Sequence, residues 1–271
     1  MKNRFVFYLP VHSSSQLVFM KQFRLISMML FALIIFSSTL FAQAKPVYVI
    51  VHGAWGGSWA FKKTDSLMTA AGVIVYRPSL TGQGERVHLA SFDVGLNTHI
   101  DDVVNMILYE DLYNVILVGH SYGGMVITGV ADRVPGRISQ LIYLDAFVPE
   151  HGESVVRIQG ARADGLMKMA SNGYLIPAWV RPGQLPPKDV PHPVKTFTDT
   201  ISLTNPQRLQ LPTTYILTVA KGAAASTDDF ALQADRAKKK GWPVVQLEAD
   251  HNPQWSAVEA LVELLLKTGK R

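Results

Sequence analysis

Gly119-His120-Ser121-Tyr122-Gly123 places a serine between two glycines, where an apolar run, Val115–Val118, gives way to a helical stretch, Met125–Arg133. A chain that turns this sharply from strand to helix leaves room only for small residues around the turn and lifts the serine hydroxyl clear of the backbone. A hydroxyl is a weak nucleophile until a base takes its proton, so Ser121 calls for a histidine elsewhere in the chain. Seven histidines lie beyond residue 44, and His251 is the one that follows an apolar run, Val244–Leu247, and precedes the last helical stretch. That is where the base stands when the chain order is serine, acid, histidine. His120 points away from the serine on a tight turn and is expected to pack or to bond backbone. His88, His99, His151 and His192 read as loop or polar-face residues.

Acyl transfer puts negative charge on the carbonyl oxygen, and two backbone N–H groups must be aimed at it. One is expected from Tyr122, directly after the serine, and the other from Ala54 in His52-Gly53-Ala54-Trp55, where Gly53 permits close backbone approach. Trp55 and Trp179 are candidate substrate contacts; for Trp55 and Trp59, core packing is the other reading. Arg86 reads as half of an ion pair with Asp93 or Glu85. Asp101-Asp102 reads as the solvated first turn of a helix.

The elements that position these residues follow from the hydrophobic pattern. Pro46–His52 is a Val/Ile/Tyr run of the kind buried on both faces of a sheet, and Val73–Tyr76, Val115–Val118, Leu141–Leu144, Tyr215–Val219 and Val244–Leu247 are further short apolar strands. Helices are expected over Trp59–Ala71, Thr98–Glu110 (Ile100, Val103, Val104, Ile107 and Leu108 form one stripe), Met125–Arg133, Thr227–Lys240 and Ser256–Lys267, the last opened by a capping box from Ser256 to Glu259. Ser79–Ala90 reads as a loop. Between about residues 147 and 206 the alternation stops and Pro, Gly and aromatic residues accumulate, which reads as an inserted cap or lid. Strands alternating with helices imply an α/β fold, a mostly parallel sheet with helices on both faces.

The chain has 271 residues, 48% of them hydrophobic and 17% charged, a globular balance. It contains no cysteine, which excludes a disulfide framework, a thiolate metal site and a cysteine nucleophile. Of the net charge of +5, four units come from Lys2, Arg4, Lys21 and Arg24, within 44 residues that hold no acid. The remainder is nearly balanced, so nucleic acid is not an expected partner. From Met20, the basic Lys21 and Arg24, an apolar stretch to Leu40 and Ala42-Gln43-Ala44 have the layout of a secretory signal peptide. Its longest unbroken apolar run, Met28–Phe36, is short of the roughly 20 residues of a membrane span, and an uncleaved anchor is the other reading. The expectation is export to the periplasm or beyond, with Met20 as the true start, cleavage after Ala44 and a mature domain over 45–271. Oligomeric state leaves no mark in the sequence.

Val51-His52-Gly53-Ala54-Trp55, Thr81-Gly82-Gln83-Gly84-Glu85-Arg86, Gly119–Gly124 and Tyr143-Leu144-Asp145-Ala146-Phe147-Val148-Pro149 resemble blocks of the α/β-hydrolase superfamily over essentially all of residues 46–268. They are most similar to the bacterial branch of carbendazim-hydrolysing esterases and more distantly similar to plant methyl-ester hydrolases and hydroxynitrile lyases. The resemblance implies a serine hydrolase with no metal or organic cofactor; hydrolysis of a small ester, carbamate or amide is the leading reading, and the apolar lid suggests a hydrophobic substrate. The acid departs from the wider pattern. Where the plant relatives carry an aspartate after the strand equivalent to Tyr215–Val219, this chain has Lys221, which cannot stabilise an imidazolium. The plant relatives have alanine at the position of Asp145, and some members place their acid there, so Asp145 is the expected third member. Asp228, Asp229 and Asp250 are the alternatives, with a plain turn-forming role open for Asp145. Two other functions are weighed: a binding protein that keeps the fold without the chemistry, favoured by Lys221, and a hydroxynitrile-type lyase, disfavoured because Asn252 stands where those lyases have a lysine.

Overall fold

The computed structural model describes Phe19, residues 22–25 and 27–28, and residues 45–269. Of the expected leader, Met20, Lys21, Ile26 and residues 29–44, with the Ala42-Gln43-Ala44 signal, lie outside the described residues. Among the described residues no helix is long and apolar enough to cross a membrane.

Nine strands are described. β1 (Val47–Val51), β2 (Ile74–Tyr76), β3 (Val115–His120) and β4 (Ile138–Leu144) come first. Three two-residue strands follow, β5 (Ala170–Ser171), β6 (Tyr174–Leu175) and β7 (His192–Pro193), then β8 (Thr213–Val219) and β9 (Val244–Glu248). Six of them form one sheet in the order β2-β1-β3-β4-β8-β9, every pair parallel. Successive residues serve opposite faces. Val49, Val51, Leu117, Tyr143 and Leu217 enter one core, and Tyr48, Ile50, Ile116, Val118, Ile142 and Ile216 enter the other. Each fully buried Val or Ile contributes about 1.5–3 kcal/mol relative to exposure, so a strand buried on both faces needs no polar alternation.

Helices cover both faces. The first core is closed by α2 (Leu96–Tyr109), whose stripe is Ile100, Val103, Val104 and Ile107, by α3 (Gly123–Arg133), and by Ala234 and Ala237 of α7 (Ala231–Lys239). The second is closed by α1 (Lys62–Ala70) and α9 (Val258–Thr268), with α8 (Pro253–Ser256) a short turn before α9. Between β4 and β8 the chain forms α4 (Val155–Gln159), α5 (Ala163–Met167), the small antiparallel β5-β6-β7 sheet and α6 (Lys195–Thr198).

Three helices start later than expected, while α2 and α3 each start two residues earlier. Residues 58–61 make a 3-10 turn ahead of α1. Asp228 Oδ1 accepts the Phe230 N–H at 2.8 Å, an Asx turn that delays α7 to Ala231. The expected capping box does not form: Ser256 Oγ donates to Asp250 Oδ1 at 2.8 Å and Glu259 pairs with Lys63 at 2.7 Å, so the chain breaks at Ala257 and α9 starts at Val258, two residues later than expected. The loop expected over Ser79–Ala90 contains a 3-10 helix, Gly84–Leu89.

Candidate active site

β3 ends at His120 and α3 begins at Gly123, so Ser121 and Tyr122 alone make the turn. Ser121 has φ 54°, a left-handed conformation that side chains rarely adopt. The turn is possible because its neighbours lack side chains. A Cβ on Gly119 would lie 2.7 Å from Gly123 O, one on Gly123 2.6 Å from Val51 O, and one on Gly124 2.2 Å from Phe147 O. Hydrogen bonds from Ser121 N–H to Leu144 O (3.2 Å) and from Phe147 N–H to Ser121 O (3.1 Å) tie the turn to the end of β4.

That end of β4 carries Asp145, also left-handed at φ 45° and fully buried, its N–H bonded to Ile216 O at 2.8 Å. Its Oδ1 accepts the Thr218 N–H at 3.1 Å and its Oδ2 lies 2.6 Å from His251 Nδ1. His251 Nε2 in turn lies 3.0 Å from Ser121 Oγ. The imidazole is held between Phe230, stacked at 4.8 Å and 6°, and His120 at 4.9 Å. Of the competing carboxylates, Asp228 is engaged by the Phe230 N–H and Asp250 by the Asn252 N–H and Ser256, while Asp229 is exposed on the wall of a cleft beside Ser121 and makes no hydrogen bond to His251. Burial raises the Asp228 carboxyl above its usual value, with the Phe230 N–H opposing. Lys221 is exposed.

The loop after β1 faces Ser121. A Cβ on Gly53 would sit 2.9 Å from Ser121 Cβ, so glycine is what lets the two segments approach. The N–H groups of Ala54 and Tyr122 donate to no backbone carbonyl among the described residues. Trp55 is left-handed at φ 64°. It is clamped there by the chain around β7: the Val190 N–H donates to Trp55 O at 2.9 Å, the Trp55 N–H to His192 Nδ1 at 3.3 Å, and the indole N–H to Leu175 O at 3.1 Å. Trp179 stands edge-on to Trp55 at 5.5 Å.

Four histidines form a buried frame around this loop, and for His99 and His192 this corrects the sequence reading. Burial pushes His52 and His99 down to about 4 and His120 to about 3, while His192 is driven well below the usual value by the same cause. As neutral rings each has one N–H. His52 donates to Gly53 O and accepts from the Leu80 N–H, His99 donates to Thr81 O and accepts from the Tyr122 hydroxyl, and His120 donates to His251 O at 2.7 Å. The signal for His99 was in the pattern: it stands four residues before Val103 and extends the buried stripe of α2. His192, in the cap, left no such signal. His151 accepts the Leu203 N–H, away from this frame. Asp102 is corrected likewise. Its side chain is only 10% exposed and takes the Thr81 N–H (2.6 Å), the Thr81 hydroxyl (2.8 Å) and Arg86 (3.2 Å), so Arg86 pairs with neither Asp93 nor Glu85. Asp101, exposed, pairs with Arg133.

Two clefts meet at Ser121. One of about 230 Å³ runs past Trp55, Trp179, Trp255 and Asp189; the other, of about 290 Å³, is walled by Phe147, Leu166, Phe197 and Phe230. Trp59 stacks on Trp255 at 5.7 Å rather than lining the inner cleft. A serine in line with a histidine and a buried carboxylate, two backbone N–H groups beside it and a largely apolar approach are suited to acyl transfer.

A family model described as "Alpha/beta hydrolase family" matches residues 48–264. A carbendazim hydrolyzing esterase from Nocardioides sp. (strain SG-4G) is 55% identical over 111 residues, 41% of this chain and 46% of that protein, so the match spans under half of that relative's length. A pheophorbidase from Raphanus sativus is 30% identical over 259 residues, covering 81% of this chain and 92% of that protein. Among solved structures, an extracellular alpha/beta-hydrolase from a Paenibacillus species superposes with a TM-score of 0.71 at 23% identity, over 83% of this chain and 100% of that one, a likeness of fold.

Proposed function

The chain belongs to the alpha/beta hydrolase family, and from that premise we propose that it is an esterase working through an acyl-enzyme on Ser121, with His251 as general base and Asp145 as the acid that orients it. The observation that carries this reading is the pair of contacts, 3.0 Å from Ser121 Oγ to His251 Nε2 and 2.6 Å from His251 Nδ1 to Asp145 Oδ2. Ser121 Oγ attacks the ester carbonyl as its proton passes to His251 Nε2. The Ala54 and Tyr122 N–H groups receive the oxyanion, the alcohol departs with the proton from His251, and a water deprotonated by the same ring releases the acid. Asp145 holds the protonated ring in place.

Relatives named as esterases support the reaction class, and the aromatic walls of both clefts support a small hydrophobic substrate contacted by Trp55 and Trp179. The segment over about 147–206 acts as the cap. We extend the proposal to export, with cleavage after Ala44 and action in the periplasm or outside the cell; N-terminal sequencing of the protein recovered from the secreting host tests it. For the chemistry, the full chain and Ser121→Ala are treated with a fluorophosphonate and assayed on a 4-nitrophenyl ester. The expected result is one label on Ser121, lost together with turnover in the variant. An unlabelled, inactive wild type would instead support a binding protein.

A further inference from the structure

Asp189 is a carboxylate in an aromatic setting. It lines the cleft beside Ser121 with Trp55, Trp179 and Trp255, and an outer groove continues it past Trp59, Leu185 and Lys188. Its place on the wall is secured from behind, because the next residue, Val190, donates its N–H to Trp55 O at 2.9 Å. The position of a Cβ on Gly56 lies 4.0 Å from Asp189 Oδ1. The carboxylate has one side-chain partner, the Trp179 indole N–H, 3.0 Å from Oδ2, and no cation pairs with it among the described residues. Partial burial raises its carboxyl above the usual value, the Trp179 N–H opposing, as expected of an anion short of partners. No Lys or Arg lines the inner cleft, whereas Arg162 lines the other one. Gln254, 2% exposed, lines the same cleft as Asp189, and its Oε1 has no hydrogen-bond partner.

Tryptophan faces attract cations through the ring quadrupole, and an adjacent carboxylate adds Coulomb attraction in a site partly shielded from water. We propose that the cleft bounded by Trp55, Trp179, Trp255 and Asp189 is a subsite for a positively charged group, a quaternary ammonium or protonated amine, carried by the ester that Ser121 cleaves. The proposal rests on the esterase reading above and deepens it: Asp189 selects substrates by charge. A second role, holding the Trp179 indole, needs only a hydrogen-bond acceptor, which asparagine also supplies, so Asp189→Asn separates charge from scaffolding.

The test compares the acetate ester of 2-(trimethylammonio)ethanol with its uncharged carbon isostere, 3,3-dimethylbutyl acetate, on the full chain and on Asp189→Asn. The wild type is expected to favour the cationic ester by about tenfold in kcat/KM, and the variant to lose most of that ratio. Equal rates on the two esters in the wild type, or a preference that survives in Asp189→Asn, overturns the subsite while leaving the esterase reading intact. Binding of benzyltrimethylammonium to Ser121→Ala, followed by tryptophan fluorescence, reads the cleft without turnover. Saturable binding, weakened in Ser121→Ala/Asp189→Asn and in Ser121→Ala/Trp255→Leu, supports the subsite even if neither ester is cleaved. The absence of binding overturns it.

Discussion

Ser121, Asp145 and Trp55 take left-handed backbone angles of 54°, 45° and 64°, a conformation that costs non-glycine residues of order 1–3 kcal/mol. Each is held by hydrogen bonds from neighbouring segments, and each presents a group to one small space. Ser121 could be singled out in the sequence because its glycines crowd around it, and His251 because it follows a short apolar strand. The residue pattern alone left the acid open among Asp145, Asp228, Asp229 and Asp250, and only the resemblance favoured Asp145. The parallel pairing of β4 with β8 sets Leu144 beside Ile216 and brings Asp145 to the Thr218 N–H, within reach of His251. Asp145→Asn is therefore expected to lower kcat/KM on a 4-nitrophenyl ester by about three to four orders of magnitude, since the amide favours the wrong histidine tautomer. Asp228→Asn should stay within a few-fold. Steady-state kinetics on the two variants, with circular dichroism to verify folding, distinguish them; the reverse order would move the acid to Asp228.

At the scale of elements, the strands of the sheet and the stripe of α2 were legible because burial on both faces or on one stripe leaves a periodic mark. Helix starts were less so, because the competing bonds come from distant residues, as with Lys63 on Glu259. The junction of β3 with α3 depends on Gly124, where a Cβ would meet Phe147 O at 2.2 Å, whereas a Cβ on Gly136 would meet nothing within 4 Å. Gly124→Ala is expected to cost about 1–3 kcal/mol in urea unfolding and to slow fluorophosphonate labelling, and Gly136→Ala to do neither. Asp102 fastens the loop after β2 to α2 through Thr81 and Arg86. Removing its carboxylate strands those donors, so Asp102→Ala should lower stability by about 1–3 kcal/mol in the same assay. A shift below 0.5 kcal/mol would show that the bonds are replaced by water.

For the whole molecule, the buried histidines set a pH dependence. His52, His99 and His120 protonate in the folded chain only at about 4, 4 and 3, against about 6.5 when exposed. Between those limits the unfolded chain binds more protons than the folded one, so stability is full above pH 6.5 and falls as pH drops towards 4. Each of these histidines adds about 1.4 kcal/mol per pH unit to that slope. Urea midpoints measured from pH 7.5 to 4.5 should fall accordingly, and a flat profile would contradict their burial as neutral rings. The α/β class, the order of strands and helices, Ser121 and His251 were legible in the sequence, because burial periodicity and the glycines of a sharp turn are local constraints written along the chain. The contact of Asp145 with His251, which the resemblance suggested but the pattern left open, the histidine frame and the acidic wall at Asp189 were decided in three dimensions. Each depends on segments tens of residues apart meeting in register, and a single sequence carries no record of that meeting.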